Sequence, residues 1–287
     1  MSLSDRYRDP PRSGGSSKAW SAFAIFLAVT FALVAVLWSA YETAQAGLVE
    51  TDDHNCVRRG APPVHAIFVV DQSDPIPAPD IERLRLELRE TAELLPRFSR
   101  LTIYLVNDRA YGQPRELFSE CSPVSREQGL WQRLAEALFV GAVNDERRLI
   151  WEEQFGNLLD TTIETLDDVP PSDTALLTAL WNISRSPRFR RADEIRLIIF
   201  SDMLENSSIV SHYRPTYPPV DRLERQVGED FLIPNLSRVD VRVSYVLRPG
   251  DQAHQGDAHI AWWADYFARA DARSVIIDNG NGDPLTF

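Results

Sequence analysis

Lysine is almost missing from this 287-residue chain. Lys18 is the only one, so a Schiff-base or phosphate-loop lysine beyond the first segment is excluded. Positive charge is short as a whole: 30 Lys+Arg stand against 42 Asp+Glu, a formal net charge of −12, and no basic stripe gathers on any segment. Nucleic-acid surfaces rely on clustered cations, so no nucleic-acid partner is expected. The five histidines, His54, His65, His212, His254 and His259, form no HExxH or other tight metal-ligand pair, and read as scattered core or surface residues. There is no GxSxG strand-to-helix elbow, which removes the commonest serine-hydrolase arrangement. SGGSSK near the amino terminus has the wrong spacing for a phosphate loop, and no internal repeat is visible.

Long apolar runs are scarce, with one exception. Ala19 to Tyr41 carries no charge and is apolar almost throughout, with Trp20 at one end and Trp38 and Tyr41 at the other. That matches a helix spanning a bilayer between aromatic belts. Residues 1–18 before it are polar and rich in Pro, Gly and Ser, the composition of a disordered tail. Arg6, Arg8, Arg12 and Lys18 precede the span, whereas Glu42, Glu50, Asp52 and Asp53 follow it, which predicts a cytoplasmic tail and an extracytoplasmic remainder. Arg58 and Arg59 lie farther out and blunt the contrast. Ala44-Gln45-Ala46 has the small-residue spacing of a signal cleavage site, but the apolar run is longer than a signal-peptide core, so an uncleaved anchor is expected.

Cysteine is equally sparse. Cys56 and Cys121 both fall in the exported part, where an even count predicts one disulfide between them. Residues 42–60 read as a linker, and 61–287 as one α/β domain in the inner membrane's periplasmic or extracytoplasmic space. The 44% hydrophobic content suffices for a sizeable core.

Within that domain the apolar stretch from Val64 contains Ala66 to Val70, a short, β-branched and aromatic run with the pattern of a buried parallel strand, and it ends in Asp71-Gln72-Ser73-Asp74-Pro75. Ile81, Leu84, Leu88, Ala92 and Leu95 recur at helical spacing over 79–96. Strands are predicted at 101–106 and, as an antiparallel edge, 116–121. Residues 126–169 are mostly helical in pattern, with Trp131, Leu134, Leu138, Ile150, Phe155, Leu158 and Leu159 as expected core. A helix follows Thr174, with Ser172 or Asp173 as its N-cap. The strand 194–200 ends at Ser201-Asp202, repeating the first strand's apolar run and terminal acid. A long loop, a helix over 220–232, a strand over 239–247, an aromatic helix over 259–270 and a last strand at 274–277 complete the pattern. The tail DNGNGDPLTF reads as a surface turn.

A strand ending in DxS, a Thr at a later helix start and an apolar strand ending in Asp, in that order, resemble the von Willebrand factor A-like family in its membrane-anchored bacterial type. The resemblance covers residues 61–287. It implies a doubly wound, mostly parallel six-stranded sheet flanked by helices, with a metal-ion-dependent adhesion site at the strand ends. Asp71 and Ser73 match the first two residues of the family's DxSxS motif, Thr174 its second-loop threonine and Asp202 its third-loop aspartate. Pro75 stands where the family has a second serine, so one ligand is missing and the site is degenerate. The resemblance therefore implies a weak Mg²⁺ site on Asp71, Ser73, Thr174 and Asp202, and a protein partner outside the cytoplasm. The alternatives are a metal-free scaffold with a vestigial site, or a hydrolase or phosphotransferase using Asp71 as nucleophile. Such enzymes need a second acid two residues on and a nearby lysine, and this chain has Ser73 and no lysine there, so no enzyme is expected.

Overall fold

A computed structural model describes residues 16–46, 51–107, 113–123, 141–164, 175–227, 233–279 and 284–287. The chain divides into two units, one holding the amino-terminal helix and the other the α/β domain. Helix α1 (Ser16–Ala46) contains a stretch, Trp20–Ser39, of mean hydropathy 2.4, and the side chains over that stretch are exposed. Twenty residues of α-helix rise about 30 Å, the thickness of a bilayer's hydrocarbon core. This helix is long and apolar enough to cross a membrane.

In the α/β unit, strands β1 (Val64–Asp71), β2 (Arg100–Val106), β3 (Arg115–Cys121), β4 (Glu194–Ser201), β5 (Val239–Tyr245), β6 (Ser274–Asp278) and β7 (Leu285–Thr286) form one sheet. Their order is β3-β2-β1-β4-β5-β6-β7. β2, β1, β4, β5 and β6 are mutually parallel, and the antiparallel strands β3 and β7 close the two edges. The first six reproduce the doubly wound order 3-2-1-4-5-6. Seven strands replace the expected six, because Leu285 and Thr286 in the tail pair with Ile277 and Ile276. Residues 280–283 of that tail lie outside the described residues.

All eight residues of β1 are buried, as a central strand covered on both faces requires. Ile67 and Val69 face one core, and Ala66, Phe68 and Val70 the other, following the two-residue period of a strand. Helices α4 (Leu176–Ser184), α5 (Val220–Val227) and α6 (Asp257–Arg269) supply the first core. α2 (Ala78–Leu94) and α3 (Gly141–Glu164) supply the second. Ile81, Leu84, Leu88, Ala92 and Leu95 are buried as predicted. In α3 the buried stripe is Trp151, Phe155 and Leu159, with Leu158 beside it, and Ile150 is exposed. Ile150 sits one position off this four-residue repeat and so turns about 100° away from the sheet. Trp151 stacks on Phe155 at 5.3 Å, and Phe118 of β3 meets both rings edge-on, which seats α3 against the sheet edge. Trp131, Leu134 and Leu138 lie outside the described residues.

Cys56 and Cys121 form a disulfide. Cys121 N–H also donates to the His54 carbonyl at 2.9 Å, so the segment leading into β1 is fastened to the end of β3 by a covalent and a polar link. Cys121 lies opposite Arg100, and Arg100 opposite His65, so this staple sits at the amino edge of the parallel sheet. Closing a loop of 65 residues is worth about 4 kcal/mol on the chain-entropy account. Cys56→Ser/Cys121→Ser should therefore lose about that much stability in chemical denaturation of the detergent-solubilised full chain. Reactivity of both thiols toward an alkylating reagent in unreduced, denatured protein would show that the bond does not form.

Candidate functional site

The strand order reverses direction between β1 and β4, and in doubly wound sheets the crevice at such a switch point takes the ligand. Two of the implied site residues lie there. The register that pairs Val70 with Phe200 puts Asp71 beside Ser201 and brings Asp202 to the same edge. Asp71 is nearly saturated: Oδ1 accepts the Ser73 N–H at 3.0 Å and the Ser73 hydroxyl at 2.7 Å, and Oδ2 accepts the Ser201 hydroxyl at 2.7 Å. Asp71, Ser73 and Asp202 are all buried. Thr174 lies outside the described residues.

Asp202 has a partner that the family pattern does not contain. Arg248, three residues past β5, donates Nε–H to Asp202 Oδ2, donates Nη1–H to the Pro75 carbonyl at 2.8 Å and holds Nη2 3.8 Å from Asp74. The Leu204 N–H donates to the other Asp202 oxygen at 2.8 Å. Burial, then the charge of Asp71, push the Asp202 carboxyl up, and Arg248 and the Leu204 amide oppose that shift. Burial pulls the Arg248 guanidinium down, but Asp202, Asp74 and Asp71 outweigh it and leave the group more basic than usual.

Gln255 holds this arginine's backbone. Its Oε1 accepts the Arg248 N–H at 2.8 Å, and its Nε2–H₂ donates to the carbonyls of Val246 at 2.8 Å and Asp202 at 3.2 Å. Nothing in the sequence singled out Arg248 or Gln255, because the matched motif directs attention to acids and hydroxyls alone.

These groups do not fit the divalent cation that the resemblance implies. One Asp202 oxygen carries a guanidinium and the other an amide. Pro75 has no side-chain oxygen, and its carbonyl is turned to Arg248. Among the described residues no group of three or more His, Cys, Asp and Glu is arranged to hold a metal ion.

Behind this edge lies a second polar cluster. Met203 follows Asp202 in the left-handed region, φ 60°, an unfavourable conformation for a non-glycine residue. Its N–H donates to Ser201 Oγ at 2.7 Å, and its carbonyl accepts the Trp263 Nε1–H at 2.8 Å with His259 Nε2 at 3.1 Å. His259 Nδ1 lies 2.7 Å from the Tyr245 hydroxyl and Nε2 lies 2.9 Å from His212 Nδ1. One proton on His259 Nε2, with the Tyr245 hydroxyl donating to Nδ1, satisfies that ring. Burial lowers the His259 and His212 imidazoles to about 4 and about 3, so both are neutral.

Glu205, fully buried, accepts the Leu177 N–H at 3.1 Å through Oε2, capping α4 from a distant loop. The expected N-caps Ser172 and Asp173 lie outside the described residues. Glu205 Oε1 has no hydrogen-bond partner among the described residues. Burial pushes the Glu205 carboxyl up to about 8, against the Ser207 hydroxyl and the Leu177 amide.

A folded-state pKa above the ordinary 4.5 means that the fold binds this proton more tightly than the unfolded chain does. The resulting stability is complete below about 4.5 and is lost as pH rises toward 8. Glu205→Gln cannot titrate. Between pH 5 and pH 8 the variant should gain about 3 kcal/mol relative to the wild type. Denaturant titrations of both full chains at the two pH values measure this, and an unchanged gap would mean that Glu205 is charged in the fold.

No family model and no curated protein matches the sequence. Among solved structures the chain is similar to an aerotolerance-related membrane protein from Bacteroides fragilis, at 12% identity over 65% of this chain and 69% of that one, TM-score 0.30. It is also similar to the VWA domain of SpRpn10, at 10% identity over 68% of this chain and 81% of that one, TM-score 0.32. The strand order, the antiparallel first edge and the acid-bearing switch point are those of a doubly wound α/β sheet, the architecture that the von Willebrand factor A-like resemblance implies.

Proposed function

We propose that this chain is a membrane-anchored protein-interaction module rather than an enzyme, with the carboxyl-end loops of β1, β4 and β5 as its docking face. The observation that carries this is the polarity of the sheet. The described segment before β1 is fastened at the amino edge, where Cys56 is bonded to Cys121, and the Asp71–Asp202–Arg248 cluster lies at the opposite edge. The docking loops present Pro75, Arg214, Thr216, Pro249 and Gln252 to solvent around a hydrogen-bonded floor, a preorganised surface that loses little entropy on binding.

The hydrolase or phosphotransferase alternative fares worse on the same geometry. An attacking Asp71 oxygen has to be free, and both oxygens accept serine hydroxyls. The disulfide and the charge asymmetry around Trp20–Ser39 support a cytoplasmic amino terminus, with the domain on the periplasmic or extracytoplasmic side of the inner membrane. The partner proposed there is a protein.

A photo-crosslinking residue at Arg214 or Gln252 in the full-length protein, activated in native membranes, should yield a discrete protein adduct. The same residue at Glu90, exposed on α2, serves as the control and should not. Equal labelling at all three positions would remove the docking face. A reporter active only in the cytoplasm should be silent when fused after Phe287, and its activity would reverse the orientation.

A further inference from the structure

Arg248 occupies the place in this fold where charge compensation is needed, and it reaches there from a strand that the matched motif does not use. Its guanidinium touches a group from each of two loops: Asp202 after β4, and Pro75 with Asp74 after β1. Its side chain is 11% exposed and that of Asp202 1%, so the pair is largely withdrawn from water. A buried carboxylate whose partner is removed costs several kcal/mol, whereas removing both partners is far less damaging. The Arg248 backbone is fixed by Gln255, which also holds the Asp202 and Val246 carbonyls, so the side chain is aimed by the fold and does not hang on a free loop.

We infer that Arg248 is the resident cation of this strand-end site, a covalently tethered replacement for a divalent ion, so that the charge balance of the site is independent of metal. The charge that a soluble ion would contribute is present from the moment the chain folds. The Pro75 position becomes intelligible on this basis. A serine hydroxyl there would offer an oxygen to an ion, but the guanidinium needs only the backbone carbonyl, which proline retains. The inference concerns the charge balance of the site and stands whether or not the loops bind a partner.

Thermal unfolding of the full chain in detergent tests it, in chelator and with millimolar Mg²⁺, Mn²⁺ or Ca²⁺. The wild-type midpoint should be the same in all four conditions. Arg248→Met should lower it by about 4 °C or more in chelator, because Asp202 is left buried beside Asp71 without a counter-charge. Arg248→Met/Asp202→Asn should recover much of that loss without metal, since the unpaired charge is gone. If Arg248→Met fails to fold, the double variant decides: its folding supports the resident-cation role, and its failure overturns it. A wild-type midpoint raised by any of the three ions would also overturn it, as would an Arg248→Met midpoint equal to the wild type's.

Discussion

Two acids are driven to one buried edge by the pairing of β1 with β4, and the rest of the site follows from the need to neutralise them. The register leaves no choice in this. Once Val70 lies opposite Phe200, Asp71 and Asp202 end neighbouring parallel strands at the switch point of the sheet. Like charges at that separation, largely out of water, cannot both persist uncompensated. The fold treats the two differently. Asp71 is solvated by the hydroxyls of Ser73 and Ser201, and Asp202 receives a full positive charge from Arg248. Hydroxyls suffice for the first because three donors converge on it. The second has one amide in addition to the guanidinium.

The same edge forces the chain into a tight reversal, and the cluster behind it stabilises that turn. Met203 adopts a left-handed conformation, which costs of the order of 1–3 kcal/mol for a residue of this kind. Its carbonyl is met by Trp263 and His259, and its amide by Ser201. Two neutral imidazoles are well suited here, because a charged ring would need a counter-ion in a region packed with Tyr217, Trp262 and Trp263. Glu205 carries its proton for the same reason, and it joins the loop to the start of α4. The loop that follows β4 is thus anchored at its base, while Arg214 and Thr216 farther along face solvent.

Much of this architecture was legible in the sequence where a local period was strong. The apolar run of β1, the stripe of α2 and the aromatic face of α6 each announce their burial, and Cys56 with Cys121 announce their bond. Ile150 misled because Ile-Trp at 150–151 offers two adjacent apolar residues, and only the three-dimensional position of the sheet edge selects Trp151. The two-residue strand β7 carries too little pattern to be read. Asp71, Ser73 and Asp202 were found through strand ends and motif spacing. Arg248, Gln255 and Glu205 were not, since each acts on a partner between 28 and 173 residues away through a contact that no local period encodes.

An ion-dependent docking face gains and loses its central charge with solution conditions. Here the charge is tied to the backbone, and its position is set by hydrogen bonds within the chain. On the proposed reading such a face is insensitive to divalent-ion concentration. The guanidinium is already engaged by Asp202, Asp74 and the Pro75 carbonyl, so it has little to offer an incoming carboxylate. In the proposed docking mode recognition rests on the loops that it holds together and not on direct capture of an acid at the switch point. On the proposed reading the buried site is the foundation of the docking surface, and specificity falls to the exposed side chains of Arg214, Pro215, Thr216, Pro249, Gln252 and Ala253, where sequence can vary without disturbing the charge balance beneath.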